Sequence, residues 1–328
     1  MPPKIRGMTQ KSAQAQNTQG QPRRFTLMLT GEDVLDEQGD NQARQGLPHE
    51  RYLLGDKTPL APILLLGQST ISFDPNLEIA CLQPVHLHAT RDHLILMGQN
   101  QIDLTETESE KLLNAALPLL KEDFEHQVLF HNQHYWFIPA GPFSKLASYS
   151  VDQAQGRNID WWLPKDTNEI GIAKRWRKIQ NEVQMRWHIH PVNEARDANG
   201  LPTINSVWLY GIGKSSDCQY PPELINAKQM ISDQPWMELI ARRLGIPFQY
   251  PDSLAWENLA EYTFIWVNDS QQIWSELSSC LNQYDLTITI IDFPNRVRKR
   301  IFKSSDYQQS SWKFWRHKEP PTWEEIQA

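Results

Sequence analysis

Between Asn181 and Gly213 the chain runs NEVQMRWHIHPVNEARDANGLPTINSVWLYGIG, a stretch that leaves few folds open. Ile172, Trp176, Ile179, Val183 and Trp187 recur at helical spacing and predict one long amphipathic helix over 168–190. Pro191 has no N–H to continue that ladder, so it must open a new helix at its first turn. The Gly200-Leu201-Pro202 break then delivers the chain into an apolar strand, Ser206–Tyr210. His190, Asn193, Arg196 and Asn205 thereby fall at element ends, where polar side chains can converge on a ligand.

The same alternation governs the rest of the carboxyl half. Trp236–Leu244 and Ile273–Leu281 read as helices, Tyr262–Val267 and Leu286–Ile291 as strands. Apolar strands alternating with helices predict a largely parallel sheet. Upstream, Phe25–Leu29 reads as a first strand, His49–Leu54 as a short helix and Ile63–Leu66 as a strand. Val85–His88 and His93–Met97 form a hairpin around Thr90-Arg91-Asp92. Thr105 and Glu108 fit a capping box opening a helix to Leu120, whose inner face is Leu112, Leu113, Ala116, Leu119 and Leu120. Val128–His131 and His134–Ile138 pair as strands. The fold class is therefore α/β: a mostly parallel sheet with flanking helices, plus a smaller mixed α+β lobe. We expect a disordered tail over 1–24, an N-terminal lobe over 25–160, a C-terminal α/β lobe over 161–303 and a basic, aromatic tail over 304–328.

Charge and cysteine content narrow the function classes. The net charge of −7 arises from an acidic body between two basic ends. Such a body is poor material for a general nucleic-acid binder. Cys81, Cys218 and Cys280 are odd in number and in no C-x-x-C spacing, which favours a reducing compartment over a disulfide framework. No run approaches the roughly 18 apolar residues of a membrane span, and no secretory signal is visible, so a cytoplasmic protein is expected. Thirteen Trp residues are expected mainly in the core.

Several constellations carry chemistry on paper. His190 at the junction before Pro191, Asn193 and Arg196 three apart on one helix face, and Asn205 before the strand suggest a site for a small anion. Their bland alternative is local: turn amides and a surface ion pair of Arg196 with Glu194 or Asp197. Gly211-Ile212-Gly213-Lys214 lacks the rest of any phosphate-loop pattern and is expected to be a tight turn. His86, His88, His93, His126, His131, His134, His188 and His190 lack accompanying ligand motifs and are expected mostly at the surface, so no metal is assigned. No Gly-x-Ser-x-Gly elbow is present. Phe302, Tyr307, Trp312, Phe314 and Trp315 interleave with the basic residues of Arg296–Lys318, and we expect them to dock on the body.

A family resemblance rests on these residues. Cys81–Met97 (CLQPVHLHATRDHLILM), the helix Leu104–Leu120 and above all Asn181–Gly213 resemble bacterial regulatory proteins of the RpfE type. Trp161–Pro164, Arg175-Trp176-Arg177 and Trp315-Arg316 fit as well, and coverage runs roughly from Phe25 to Arg316. That family is in turn similar, more distantly, to part of the archaeal-type cofactor-independent phosphoglycerate mutases, of the alkaline-phosphatase-like superfamily. The resemblance implies a reduced fold of that kind and a phospho-ligand site near His190, Pro191, Asn193, Arg196, Asn205 and Trp208. Those mutases need an Asp-Gly after the first strand, a Ser nucleophile and further Asp and His ligands for two divalent metals. Here Thr30-Gly31-Glu32-Asp33 follows the first strand, no Ser-centred motif matches, and Asp292 and Asp92-His93 do not rebuild the set.

The expectation is a non-catalytic regulatory protein without cofactor or metal. It would bind a small anionic phospho- or carboxylate metabolite, or a protein partner, through His190, Asn193, Arg196, Asn205 and Trp208. One alternative is a residual metal-dependent phosphomutase or phosphatase, another a nucleic-acid accessory protein acting through the basic tail. If the site residues are superficial, Arg196→Ala or His190→Ala should change stability by no more than about 1 kcal/mol.

Overall fold

The first strand lies inside a six-stranded sheet whose other members all come from the carboxyl half. The computed structural model describes residues 23–33, 44–69, 71–121, 124, 128–253, 258–307 and 319–328. Residues 1–22 of the tail expected over 1–24, His126, and Trp312, Phe314 and Trp315 lie outside the described residues. Arg23 and Arg24 belong to β1 (Arg23–Met28).

From there α1 (Pro48–Leu54) and α2 (Leu60–Gln68) lead to the hairpin β2 (Ile79–Ala89) and β3 (Leu94–Met97). α3 (Gln99–Ile102) and α4 (Glu106–Leu120) follow, then β4 (Phe130–His131), β5 (Trp136–Pro139), β6 (Leu146–Ala147), α5 (Val151–Ala154) and β7 (Lys165–Asp166). Next come α6 (Ile172–His188), α7 (Pro191–Ala198) and β8 (Ser206–Gly213). The chain closes with α8 (Pro222–Ile225), β9 (Gln229–Ser232), α9 (Pro235–Leu244), β10 (Phe248–Gln249), β11 (Tyr262–Trp266), α10 (Ser270–Cys280), β12 (Leu286–Asp292), β13 (Arg298–Lys303) and α11 (Trp323–Gln327).

The principal sheet has the order β10-β9-β11-β1-β12-β13. Its first five strands run parallel and β13 returns antiparallel beside β12. The second sheet is antiparallel and built on β2, which pairs with β3, β5 and β8. An α/β fold with a mostly parallel main sheet is thus what the chain adopts. Strand membership crosses the expected lobe boundary at 160/161, since β1 joins the carboxyl-half strands and β8 joins β2.

Side chains sort the layers by period two. On one face of the parallel sheet, Phe25, Leu27, Ile265, Ile288 and Ile290 pack on α10 and α11. On the other, Met28, Met230, Phe264 and Ile291 meet α1, α2 and α9. Those helices are covered in turn by Cys81, Phe137, Trp208 and Tyr210 of the antiparallel sheet. Its far face, Leu82, Trp136, Ile138, Val207 and Leu209, carries α4, α6 and α7. The result is five alternating helix and sheet layers. Trp136, Trp162, Trp176, Trp187, Trp208 and Trp274 are among its largest fully buried side chains, so these Trp residues serve packing.

Three expectations are corrected. Ile63–Leu66 lies in α2, a helix, because its short apolar run is buried between the sheets and carries no period that separates strand from helix. β8 belongs to the antiparallel sheet, with Cys81 opposite Tyr210 and Val85 opposite Ser206. It is covered on both faces, so it shows the same continuous apolar run as a buried parallel strand. Its Gly211-Ile212-Gly213 is neither phosphate loop nor turn. Gly211 has φ +67° and a Cβ there would lie 2.7 Å from the Ala61 backbone nitrogen, so the glycine admits α2.

Candidate functional site

The residues expected to form one pocket do not meet in one. The His190 ring caps α7, its Nδ1 accepting from the Val192 N–H at 3.2 Å, and lines a groove beside α4. Asn193 is buried: its amide donates to the Trp187 and Ile204 carbonyls at 2.8 Å each and accepts from the Ile204 N–H at 2.7 Å. Asn205 pairs with the Leu87 backbone in both directions, at 2.7 and 3.0 Å. Trp208 donates to the Tyr149 carbonyl at 2.7 Å from within the core. Arg196 is 1% exposed and grips the α3–α4 junction rather than Glu194 or Asp197. It donates to Glu108 Oε1 at 3.0 Å and to the carbonyls of Pro202 (2.8 Å), Asp103 (3.3 Å) and Ile102. A buried guanidinium must satisfy its donors inside the protein, and this one does so on three carbonyls and a carboxylate.

A different place collects charged side chains, several of them exposed. At the carboxyl end of β1 the chain leaves into α1, and at the carboxyl end of the adjacent β12 it turns back into the antiparallel β13. Loops diverging from adjacent parallel strands open a crevice, the usual ligand position in open α/β sheets. Here it is a cleft of about 640 Å³ bordered by Glu32, Asp33, Arg44, Arg51, Asp56 and Arg296, with Tyr52 and Phe293 on its wall.

The β1 loop is held from three directions. Trp266 Nε1 donates to Thr30 Oγ1 at 3.2 Å, and the Gly31 N–H and C=O lie 3.2 and 3.1 Å from His49 Nδ1. Asp33 receives Arg51 at 3.1 Å and Gln153 at 2.9 Å on its carboxylate, while Arg157 reaches its carbonyl at 3.4 Å. A Cβ on Gly31 would fall 2.8 Å from Phe293 Cβ and 2.9 Å from Pro48 Cβ, so only glycine lets these loops close up. On the other strand, Asp292 accepts Arg298 Nε at 3.0 Å and Arg300 at 2.8 Å. Arg44 and Arg296 are exposed and have no side-chain partner among the described residues.

Two titratable groups are sealed beneath the cleft. Burial pulls the His49 imidazole down to about 4, against the backbone of Gly31 and with help from the Arg51 charge. Burial likewise pushes the Glu50 carboxyl up to about 8, although the Leu47 N–H donates to it at 2.7 Å. Nothing local in the sequence announces His49, Glu50, Arg51 or Gln153. The one available signal was Thr30-Gly31-Glu32-Asp33 directly after a strand. Among the described residues no group of three or more His, Cys, Asp or Glu is placed to hold a metal ion. Nor is any described helix long and apolar enough to cross a membrane.

No protein-family model and no curated protein matches the chain. Solved structures align with it over most of its length. The PH0037 protein from Pyrococcus horikoshii matches at 10% identity and TM-score 0.39, over 83% of this chain and 82% of that one. The cofactor-independent phosphoglycerate mutase from Thermoplasma acidophilum DSM 1728 matches at 12% identity and TM-score 0.34, over 88% and 91%. The likeness to the mutase is therefore distant, and no residue role is carried across it. These matches do not bear on an RpfE-type assignment.

Arg196→Ala would strand three carbonyls and Glu108, so we expect it to cost about 3–5 kcal/mol, measured by urea unfolding. That replaces the smaller effect expected of a superficial arginine. Glu50 and His49 also tie stability to pH. Above its ordinary 4.5 the unfolded chain leaves Glu50 ionised, while the fold keeps it protonated up to about 8. Folding then takes up a proton, so stability falls as pH rises. His49 acts in the opposite sense between 6.5 and about 4, where the unfolded chain gains a proton that the fold excludes. The two oppose each other from 4.5 to 6.5, and above that range Glu50 acts alone. Between pH 6.5 and 8 Glu50 should remove about 2 kcal/mol of unfolding free energy. Glu50→Gln should flatten that limb in denaturant titrations run across the range.

Proposed function

We propose that the protein is a regulatory binding protein whose ligand is a small polar anion held in the cleft between the β1 and β12 loops. The observation that carries this reading is the contrast among its charges. Asp33 is tied to Arg51 and Asp292 to Arg298 and Arg300, whereas Arg44 and Arg296, on the cleft wall, have no side-chain partner among the described residues. A guanidinium fork suits phosphate or carboxylate oxygens. The exposed carboxylates of Glu32 and Asp56 add acceptors, which favours an anion that also bears hydroxyl or ammonium groups. The cleft volume of about 640 Å³ lies within the span of small-molecule sites. The regulatory role rests on the sequence resemblance to RpfE-type proteins.

Residual metal-dependent phosphotransfer is the reading it competes with. That chemistry would draw on the carboxylates at the ends of β1 and β12. Both are bound by guanidinium groups, which would have to leave before a cation could enter, so the donor set does not fit. Nucleic-acid binding through β13 is disfavoured in the same way. Arg298 and Arg300 are taken by Asp292, and Lys299 pairs with Glu223 at 2.5 Å.

Calorimetric titration with glycerol 2-phosphate tests the proposal. Arg44→Ala and Arg296→Ala should each weaken binding about tenfold, the equivalent of one charge-assisted contact, with melting temperature unchanged. No phosphate release is expected with Mn²⁺, Mg²⁺ or Zn²⁺. Release that Asp33→Asn abolishes would establish the enzymatic reading instead.

A further inference from the structure

The His190–Pro191 junction plays no part in the β1–β12 cleft, yet it borders a second groove of about 650 Å³ between α4 and α7. We propose that this groove binds a small monoanionic organic acid with an apolar body, its carboxylate set between His190 Nε2 and the Lys111 ammonium.

The geometry narrows the choice of donor. The first N–H groups of α7 are already taken, that of Val192 by His190 Nδ1 and those of Asn193 and Glu194 by the His190 carbonyl at 2.8 and 3.1 Å. The helix end is therefore closed to a ligand, and the donors must be side chains. With Nδ1 accepting from Val192, a neutral His190 ring carries its proton on Nε2, a donor fixed in direction by the cap. Burial and the nearby Lys111 charge both lower the His190 pKa, against the opposing pull of Glu194, which keeps the ring neutral near pH 7.

Charge balance selects the anion. Among the described residues that line the groove, Glu108 is the only acid, and both its oxygens are committed. Arg196 holds Oε1 at 3.0 Å, and the Thr105 N–H and hydroxyl hold Oε2 at 2.9 and 2.8 Å. Lys111, one turn along α4, has no ion-pair partner among the described residues and leaves the groove one positive charge in excess. The remaining surface sets the rest of the ligand. Ala115, Pro191, Val192 and Ala195 present hydrocarbon, and Asn114 is the only other polar side chain. One fixed N–H, one cation and an apolar floor match a carboxylate on an aliphatic or aromatic body rather than a polyhydroxylated phosphate.

Benzoate, with neutral benzamide as its isostere, tests this by NMR titration of the full chain. Benzoate should give saturable shifts of the His190 ring and the Ala115 and Ala195 methyls, and benzamide should bind at least about fivefold more weakly. Lys111→Ala and His190→Ser should each weaken benzoate by at least about fivefold; Ser retains an N-cap acceptor, so α7 stays intact. Arg296→Ala should leave it unchanged. Absence of saturable shifts, or a benzoate affinity in Lys111→Ala and His190→Ser unchanged from that of the unsubstituted chain, would overturn the site. So would loss of benzoate binding in Arg296→Ala, which would place the acid in the other cleft.

Discussion

The side-chain amide of Gln153 ties α5 to the loop after β1 and to the segment that carries Arg44, beside the cleft. It is fully buried on α5, and its Oε1 accepts from the Gly46 N–H at 2.9 Å and the Ser150 N–H at 3.2 Å. Its Nε2 faces Asp33 Oδ2 at 2.9 Å and the carbonyls of Arg44 and Gly46 at 3.1 and 2.9 Å. A buried amide with all its polar atoms met stabilises one arrangement and penalises every other. Through it the β1 loop, the segment carrying Arg44 and α5 hold a common geometry. Asp33, fixed by Gln153 and Arg51, is the pivot of that geometry rather than a free acid.

Burial decides which arginines are structural. Arg196 is enclosed, and desolvating a guanidinium is costly unless its N–H groups find partners, so it is clamped by Glu108 and three carbonyls. Arg298 and Arg300 are partly buried and share Asp292, and Arg300 also caps the carbonyl end of α11 at Ile326. Arg44 and Arg296 are exposed and meet no side-chain partner among the described residues. Residue type alone does not separate these cases, because exposure is a property of the assembled layers.

Local signals in the sequence told the truth about local structure. The Thr105–Glu108 capping box, the split of α6 from α7 at Pro191 and the β2–β3 hairpin each depend on residues within a few positions. The α/β class followed from the alternation in the carboxyl half. Strand direction was not legible for β8, since a run buried on both faces looks alike in parallel and antiparallel surroundings. Asn193, Arg196 and Asn205 were expected to face a ligand, whereas their hydrogen bonds stitch a turn to its neighbours. The cleft was hidden for a geometric reason. His49 meets Gly31 across 18 positions and Gln153 meets Asp33 across 120, and only the strand order makes β1 and β12 adjacent.

The proposed anion site of Arg44 and Arg296 stands or falls on whether both guanidinium groups meet one anion at the carboxyl ends of β1 and β12. The most direct measurement is an anomalous difference map from crystals soaked in selenate. The account predicts a selenium peak within hydrogen-bonding reach of both guanidinium groups, with the Asp33–Arg51 and Asp292–Arg298 pairs intact. A map with no peak there would contradict it, and so would a peak flanked by divalent cations that have displaced Arg51 and Arg298 from those carboxylates.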